Sequence, residues 1–316
     1  MEKRLLVTRG NGFLSRQIIL DGLQQGYRIR TSILQYSEKE FLERLVVSEL
    51  GAEFLKGLEF ISAASGSAGF WDSAVQDVDA IFHLASLQHA PLEEIKHLFS
   101  AALKFEVHRL IVTLDNDPIL SSKSYALPHL AAGQLRQVLV EKKVWEYARH
   151  FPQLQITSFC PTLCLGPLYD ASLVPSIQLI QQLLRGKLFG IEPMQVSIID
   201  HRDLSDLHYM ALETHMSIGE RFTATAANLW MRDIAEILRA HFPKFSAKLP
   251  EYDAPSWLMS VIGVFDKQTK AVIPALNMPK DASPQKAIEV LGYHPRSVEE
   301  AVVATAESLL AFDLLD

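Results

Sequence analysis

Short apolar runs alternating with helical patterns constrain this chain more than any other feature. Residues 4–8 (RLLVT) read as a buried strand, and residues 13–25 as a helix with Phe13, Leu14, Ile18 and Leu23 among its apolar positions. Gly26 stops that helix, and residues 27–34 read as the next strand. Further strands are predicted at 58–63, 80–84, 109–114 and 155–160, and helices near 70–75, 92–104 and 131–150. Ser37 with Glu40 reads as a capping box that opens a helix through about Leu50. Strands separated by helices pair in parallel through crossovers, which place helices on both faces of the sheet. The expectation is an α/β fold with a doubly wound parallel Rossmann-type sheet.

After Gly166-Pro167 the pattern loosens into a smaller C-terminal α/β substrate lobe. A helix is expected at 172–184, a strand at 194–199, and helices at 230–240, 283–291 and 299–314, with Asp233 on a polar helix face. The expected division is 1–166 for the dinucleotide-binding-like part and 167–316 for the lobe, with about 194–215 returning to the first part.

Composition narrows the classes of function. A net charge of −7 with no dense Lys/Arg run argues against a nucleic-acid partner. No apolar stretch approaches the roughly 20 residues that span a bilayer. The opening MEKRLLVTRG passes directly into a strand, which leaves no room for a signal or transit peptide, so a cytoplasmic location is expected. Cys160 and Cys164 read as small packed residues, and no metal site is expected.

Between the first strand and helix stands RGNGFLS, where a dinucleotide-binding fold places its glycine turn. The chain there must turn tightly and approach a pyrophosphate without intervening side chains, while the helix N-terminus offers free N–H groups to the anion. Gly10, Gly12 and Ser15 fit a G-x-G-x-x-S spacing. Arg9 starts a long side chain beside this site, and it either binds phosphate as a bidentate fork or fills the space. The second strand ends Ile33-Leu34-Gln35, with neither the acid of an NAD site nor the arginine of an NADP site; Arg28 and Arg30 lie inside the strand.

These segments resemble the extended short-chain dehydrogenase/reductases of the NAD-dependent epimerase/dehydratase superfamily, in the dihydroflavonol reductase and aldehyde reductase branch. The family's T-G-x-x-G-F-[IL]-G is matched by Thr8, Gly12, Phe13 and Leu14, with Arg9 at the first glycine and Ser15 at the third. IFHLAS, residues 81–86, matches the strand beneath the cofactor and includes Ala85; His83 within it reads as a packed core residue. CPTLCLGP (160–167), IIDHRDLSDLH (198–208), GERF (219–222) and DASPQKAIEVLGYHPR (281–296) follow in the family's order. Arg202-Asp203 reads as a structural ion pair or a helix cap. The resemblance implies an NAD(P) site built from Arg9, Gly10, Gly12, Phe13, Leu14 and Ala85. It also implies a homodimer paired through two long helices.

The active-site helix of that family reads Y-x-x-S-K-x-x-A-E-x-x-x-W-E. Glu141, Trp145 and Glu146 keep its register, which puts Gly133 at the catalytic tyrosine and Gln137 at the catalytic lysine. Carbonyl reduction needs a proton donor at the carbonyl oxygen. Glycine offers none, and glutamine carries no charge to lower a neighbouring pKa. Leu114 and Asp115 stand at the family's serine positions, and Ala64 where it has an adenine-reading aspartate. Tyr125 with His129 gives a tyrosine–histidine alternative. Asp115, Asn116, Asp117, His89, Tyr169 and Asp170 follow strands at the carboxyl edge of the sheet and are candidates for acid–base work. Asp115, His89 and Tyr169 are the leading catalytic candidates among them.

Three readings remain open. The first is a reductase-like cleft that has lost ordinary hydride transfer. It binds a small molecule or runs a redox-neutral isomerisation or cyclisation, with no cofactor required. The second is a non-catalytic regulatory or partner protein. The third is an NAD(P)-dependent reductase of a small carbonyl compound with relocated acid groups.

Overall fold

The computed structural model describes residues 2–63, 68–84, 91–114, 132–186, 190, 193–252 and 277–315. Strands β1 (Arg4–Val7), β2 (Arg28–Ile33), β3 (Leu58–Ser62), β4 (Ala80–Leu84), β5 (Arg109–Thr113) and β6 (Gln155–Pro161) follow the sequence expectation closely. They are separated by helices α1 (Phe13–Gln24), α2 (Tyr36–Glu49), α3 (Ala68–Val75), α4 (Pro91–Lys104) and α5 (Ala132–His150). The chain continues through β7 (Leu163–Leu165), α6 (Pro175–Arg185), β8 (Gln195–Asp200), α7 (His201–Glu213), β9 (Arg221–Ala224) and β10 (Ala227–Trp230). Helices α8 (Met231–His241), α9 (Gln285–Leu291) and α10 (Val298–Ala311) complete it.

The main sheet has seven strands in the order β3-β2-β1-β4-β5-β6-β9, and every described pairing in it is parallel. Strands β4 and β5 are buried at every position, as central strands covered on both faces must be. Successive side chains alternate between faces. Leu5, Val7 and Phe82 join the core under α1, α2 and α7, whereas Leu6, Ile81 and Val112 join the core under α3, α4 and α5. A second sheet, β10-β8-β7, packs with α6, α8 and α10 around a third core. No helix among the described residues is long and apolar enough to cross a membrane.

Several local expectations are corrected. Ser37 and Glu40 do not form a capping box, because α2 begins at Tyr36 with Gln35 as an N-cap that makes no side-chain bond. The carboxylate that reaches back is instead Glu38, whose Oε2 accepts the Leu34 N–H at 2.7 Å. Trp230 ends β10 and caps α8, with its own N–H held by Asp233. Arg202 and Asp203 do form structural ion pairs, though with other residues than each other: Arg202 bonds Asp200 and Glu300, while Asp203 bonds Arg296 and the Tyr293 hydroxyl. Adjacent helix positions point some 100° apart and cannot face each other, which is why each finds a partner elsewhere.

Strand β9 and the pairing of β8 with β10 lie outside the sequence reading. β9 and β10 have four residues each and lack a periodic pattern long enough to read.

Candidate nucleotide site at the switch point

Strand order reverses between β1 and β4, since the chain runs outward from β1 to β3 and then returns to β4 on its other side. In open α/β sheets the ligand crevice lies beyond the carboxyl ends of the strands at that point. The residues around it are tightly determined. Thr8 is fully buried; its N–H bonds the Phe82 carbonyl at 3.1 Å and its Oγ1 accepts the Leu84 N–H at 2.9 Å. These bonds join the ends of β1 and β4 to form the floor of the crevice.

Arg9 has φ of 59°, the left-handed region that favours glycine. It is held there on both sides of its peptide. Its N–H donates to Ser32 Oγ at 2.8 Å, and its carbonyl accepts from the Gly12 N–H at 2.9 Å and Ser15 Oγ at 2.5 Å. Gly10 donates to the Ser32 carbonyl at 2.9 Å, and a Cβ placed on Gly10 would collide with Thr31 Oγ1. The turn therefore lies flush against β2, and only glycine fits at 10. A Cβ on Gly12 would lie 2.9 Å from Ser15 Oγ.

Gly12 is the N-cap of α1; it supplies no side-chain cap, and the first turn carries no acidic residue. A helix end built this way offers N–H groups and partial positive charge to an anion. The backbone of Gly10, Gly12, Phe13 and Leu14 thus fits the pyrophosphate of a dinucleotide. The Phe13 ring turns away and packs on His201, with centroids 4.5 Å apart.

The Arg9 side chain crosses the crevice. Its Nη2 lies 2.7 Å from Glu94 Oε2 in the first turn of α4, with both side chains largely buried. The ion pair thus links the turn after β1 to the helix after β4 over the switch point. His83 lies beneath, and burial followed by the nearby Arg9 charge lowers its pKa to about 3. It stays neutral, as a packed residue beside Thr8 and Trp71, in agreement with the sequence reading.

The other sequence candidates distribute as follows. Tyr169 donates to Gln17 Oε1 at 2.5 Å, and burial pushes its phenol well above its ordinary value. Asp170 pairs with Arg16, whose guanidinium also bonds Asn11 and stacks 4.4 Å from the Phe41 ring. Both residues join the loop after β7 to α1. Arg30 is committed to Glu59 and to the carbonyls of Ala74 and Gln76 at the end of α3, so it does not face the crevice.

Positions 133 and 137 lie in the first turns of α5. Further along that helix Val138, Val140 and Val144 are buried, and Glu141 pairs with Arg221 of β9. Asp115, His89, Ala85, Ala64, Tyr125, His129, Asn116 and Asp117 lie outside the described residues. Sequence reading missed Glu94 and Glu38 at this site. Both look like ordinary first-turn acids, which complement any helix dipole, and nothing in the sequence ties either to the glycine turn.

No family model matches the chain. Among curated proteins, it is 25% identical to a ketoreductase, azaE, of Aspergillus niger over 84% of this chain and 90% of that one. It is 23% identical to an anthocyanidin reductase of Vitis vinifera over 81% of this chain and 86% of that one. Yeast methylglyoxal/isovaleraldehyde reductase Gre2, solved with NADPH, superposes with a TM-score of 0.77 at 16% identity, covering 99% and 100% of the two chains. The NADPH complex of Gre2 from Candida albicans gives 0.78 at 18% identity, covering 98% and 99%. These relatives and structural neighbours are reductases of the NAD(P)-dependent epimerase/dehydratase family, and this chain shares their Rossmann-type fold. Its glycine turn keeps a tight backbone path, while position 9, the first glycine of the resembled pattern, is an arginine bonded to Glu94.

Proposed function

We propose that this chain is a short-chain dehydrogenase/reductase that binds a nucleotide at the switch point but does not carry out ordinary carbonyl reduction. The observation that carries the first half is the uncapped α1 N-terminus behind a glycine turn pressed onto β2. Phe13 and Leu14 would hold the pyrophosphate through backbone N–H groups, Gly10 and Gly12, whose own N–H groups bond the Ser32 and Arg9 carbonyls, would keep side chains out of its way, and Arg9 would exchange Glu94 for phosphate oxygens. Bound NAD(P) supplies or accepts a hydride.

The second half rests on the residues at 133 and 137. In the family register these are the proton donor and its lysine partner, and here they are glycine and glutamine. Tyr169 does not replace them: its hydroxyl is spent on Gln17, and its raised pKa disfavours ionisation. A ligand beside the nucleotide would therefore be held, or led through a redox-neutral isomerisation or cyclisation by positioning alone.

One experiment tests both halves. NADH and NADPH are titrated against the protein by fluorescence, and the same preparations are assayed for reduction of small aldehydes and ketones. Micromolar binding without turnover is expected, together with reductase activity in the double variant Gly133→Tyr, Gln137→Lys. Absence of binding up to millimolar concentrations sinks the nucleotide half. Turnover by the unaltered chain at ordinary enzyme rates, on the order of 10 per second, sinks the other.

A second reading, a working reductase with relocated acid groups, draws on the reductases that match this chain over four-fifths of its length. The same assay separates it from the first.

A further inference from the structure

The end of β2 decides which nucleotide a crevice of this kind accepts, because the adenosine ribose lies there. The sequence places neither an acid nor an arginine in the strand end itself. The fold brings an acid to it from the next helix. Glu38, in the first turn of α2, turns back so that Oε2 accepts the Leu34 N–H at 2.7 Å.

The side of the strand on which this carboxylate sits follows from the neighbouring bonds. Along a strand, backbone groups alternate between the two flanking neighbours. The Ser32 carbonyl accepts from Gly10 in the glycine turn, and the Ile33 carbonyl accepts from Ala63 beyond β3. The Leu34 amide therefore faces the glycine turn again. Glu38, bonded to that amide, lies at the strand end on the crevice side.

Two described arginines near it have partners elsewhere, Arg16 with Asp170 and Arg30 with Glu59, while Arg9 sits on the pyrophosphate side of the turn beside Glu94. Lys39 lies over the Tyr36 and Phe60 rings and beside Glu43. Leu34 itself is 55% exposed and has no donor side chain to offer a phosphate.

We propose that Glu38 reads the adenosine ribose, accepting hydrogen bonds from its hydroxyls and repelling a 2′-phosphate. The chain then selects nucleotides without that phosphate, NADH over NADPH, in contrast to the Gre2 structures solved with NADPH. A carboxylate accepts from a ribose diol but meets a phosphate as one negative charge meets another. This assignment rests on the nucleotide-binding reading above.

Its test is the ratio of two dissociation constants, which requires no turnover. NADH and NADPH are titrated calorimetrically into the unaltered protein, Glu38→Gln and Glu40→Gln, with thermal melting to confirm folding. NADH is expected to bind at least about tenfold more tightly than NADPH, a difference on the scale of one good charged contact. Glu38→Gln should narrow the ratio severalfold from both sides, weakening NADH and strengthening NADPH. Glu40→Gln removes the same charge from the same helix at an exposed position and should leave the ratio unchanged.

The assignment is overturned by an NADPH preference in the unaltered protein. It is equally overturned by a ratio that Glu38→Gln leaves in place, or by equal narrowing in Glu40→Gln, which would mark a long-range charge effect. Binding of neither nucleotide removes the underlying reading as well, an outcome distinct from binding without preference.

Discussion

Two regions of this molecule carry equally recognisable family segments and have treated them in opposite ways. In the seam between the main sheet and the C-terminal elements, the acids and histidines of the α7 segment find partners within the chain. Asp200 caps α7 and bonds Arg202, while Asp203 bonds Arg296 and Tyr293. His201 bonds the Pro167 carbonyl, and His208 bonds Thr113 and the Leu204 carbonyl. In the crevice, by contrast, the backbone path is kept while the side chains differ. Arg9 occupies a glycine conformation, Leu34 stands exposed at a strand end, and the residues at 133 and 137 are not those of the family relay.

The difference lies in what each residue answers to. A seam residue is held by partners in the same chain, and loss of one leaves a buried polar group unsatisfied. A crevice side chain such as exposed Leu34 carries no such obligation, because its replacement leaves no buried polar group behind.

Acidification should expose the contrast most strongly. Burial lowers His83 to about 3 and both His201 and His208 to about 4. All three lie below the unfolded value of about 6.5, so the unfolded chain takes up protons first as pH falls. Stability is full above about pH 6.5 and declines as pH drops towards 4, with all three histidines contributing in the same direction. Denaturant melts between pH 7 and 4.5 measure the slope. His208→Gln should flatten it, and an unchanged slope would mean that the seam histidine is not what resists protonation.

Next in size, Arg296→Ala leaves Asp203 buried without its cation, which should cost about 3 kcal/mol or more in chemical unfolding. Nucleotide affinity should not move, because the site lies elsewhere. A parallel loss of affinity would break the separation of the two regions.

Gly10→Ala drives a methyl group into Thr31 and should cost about 1–3 kcal/mol. Unlike the seam variant, it should also weaken nucleotide binding, since the turn must lift from β2. The smallest effect belongs to Glu94→Gln. The pair is largely buried, and glutamine removes the charge while keeping an oxygen acceptor for Arg9, so the melting temperature should change little. Freed from its partner, Arg9 should tighten nucleotide binding by a few-fold, and the gain should vanish in the Arg9→Gly background.

Much of the main sheet was legible because long-period signals survive in one dimension. Residues 80–84 and 109–113 are mostly apolar runs, broken only by His83, Arg109 and Thr113, and the structure buries every position. The glycine turn was legible for a similar reason, since tight turns restrict residue type locally. Strands β9 and β10 were not, because four residues carry too little pattern. The Ser37–Glu40 box had the right spacing, but the N-cap lies two residues earlier, at Gln35, and Glu38 found the free amide of Leu34 instead.

By itself, then, the sequence determined the alternation of strands and helices, the position of the turn at Gly10 and Gly12, and the identities of the residues at 133 and 137. These depend on local periodicity, on local backbone freedom, or on the register of one helix. Only the tertiary structure decided that Arg9 would reach Glu94, 85 positions away, and that Glu38 would lie on the crevice side of β2. Such pairings are set by strand order and by the alternation of backbone groups across a sheet. Both come into being only when distant segments fold against one another.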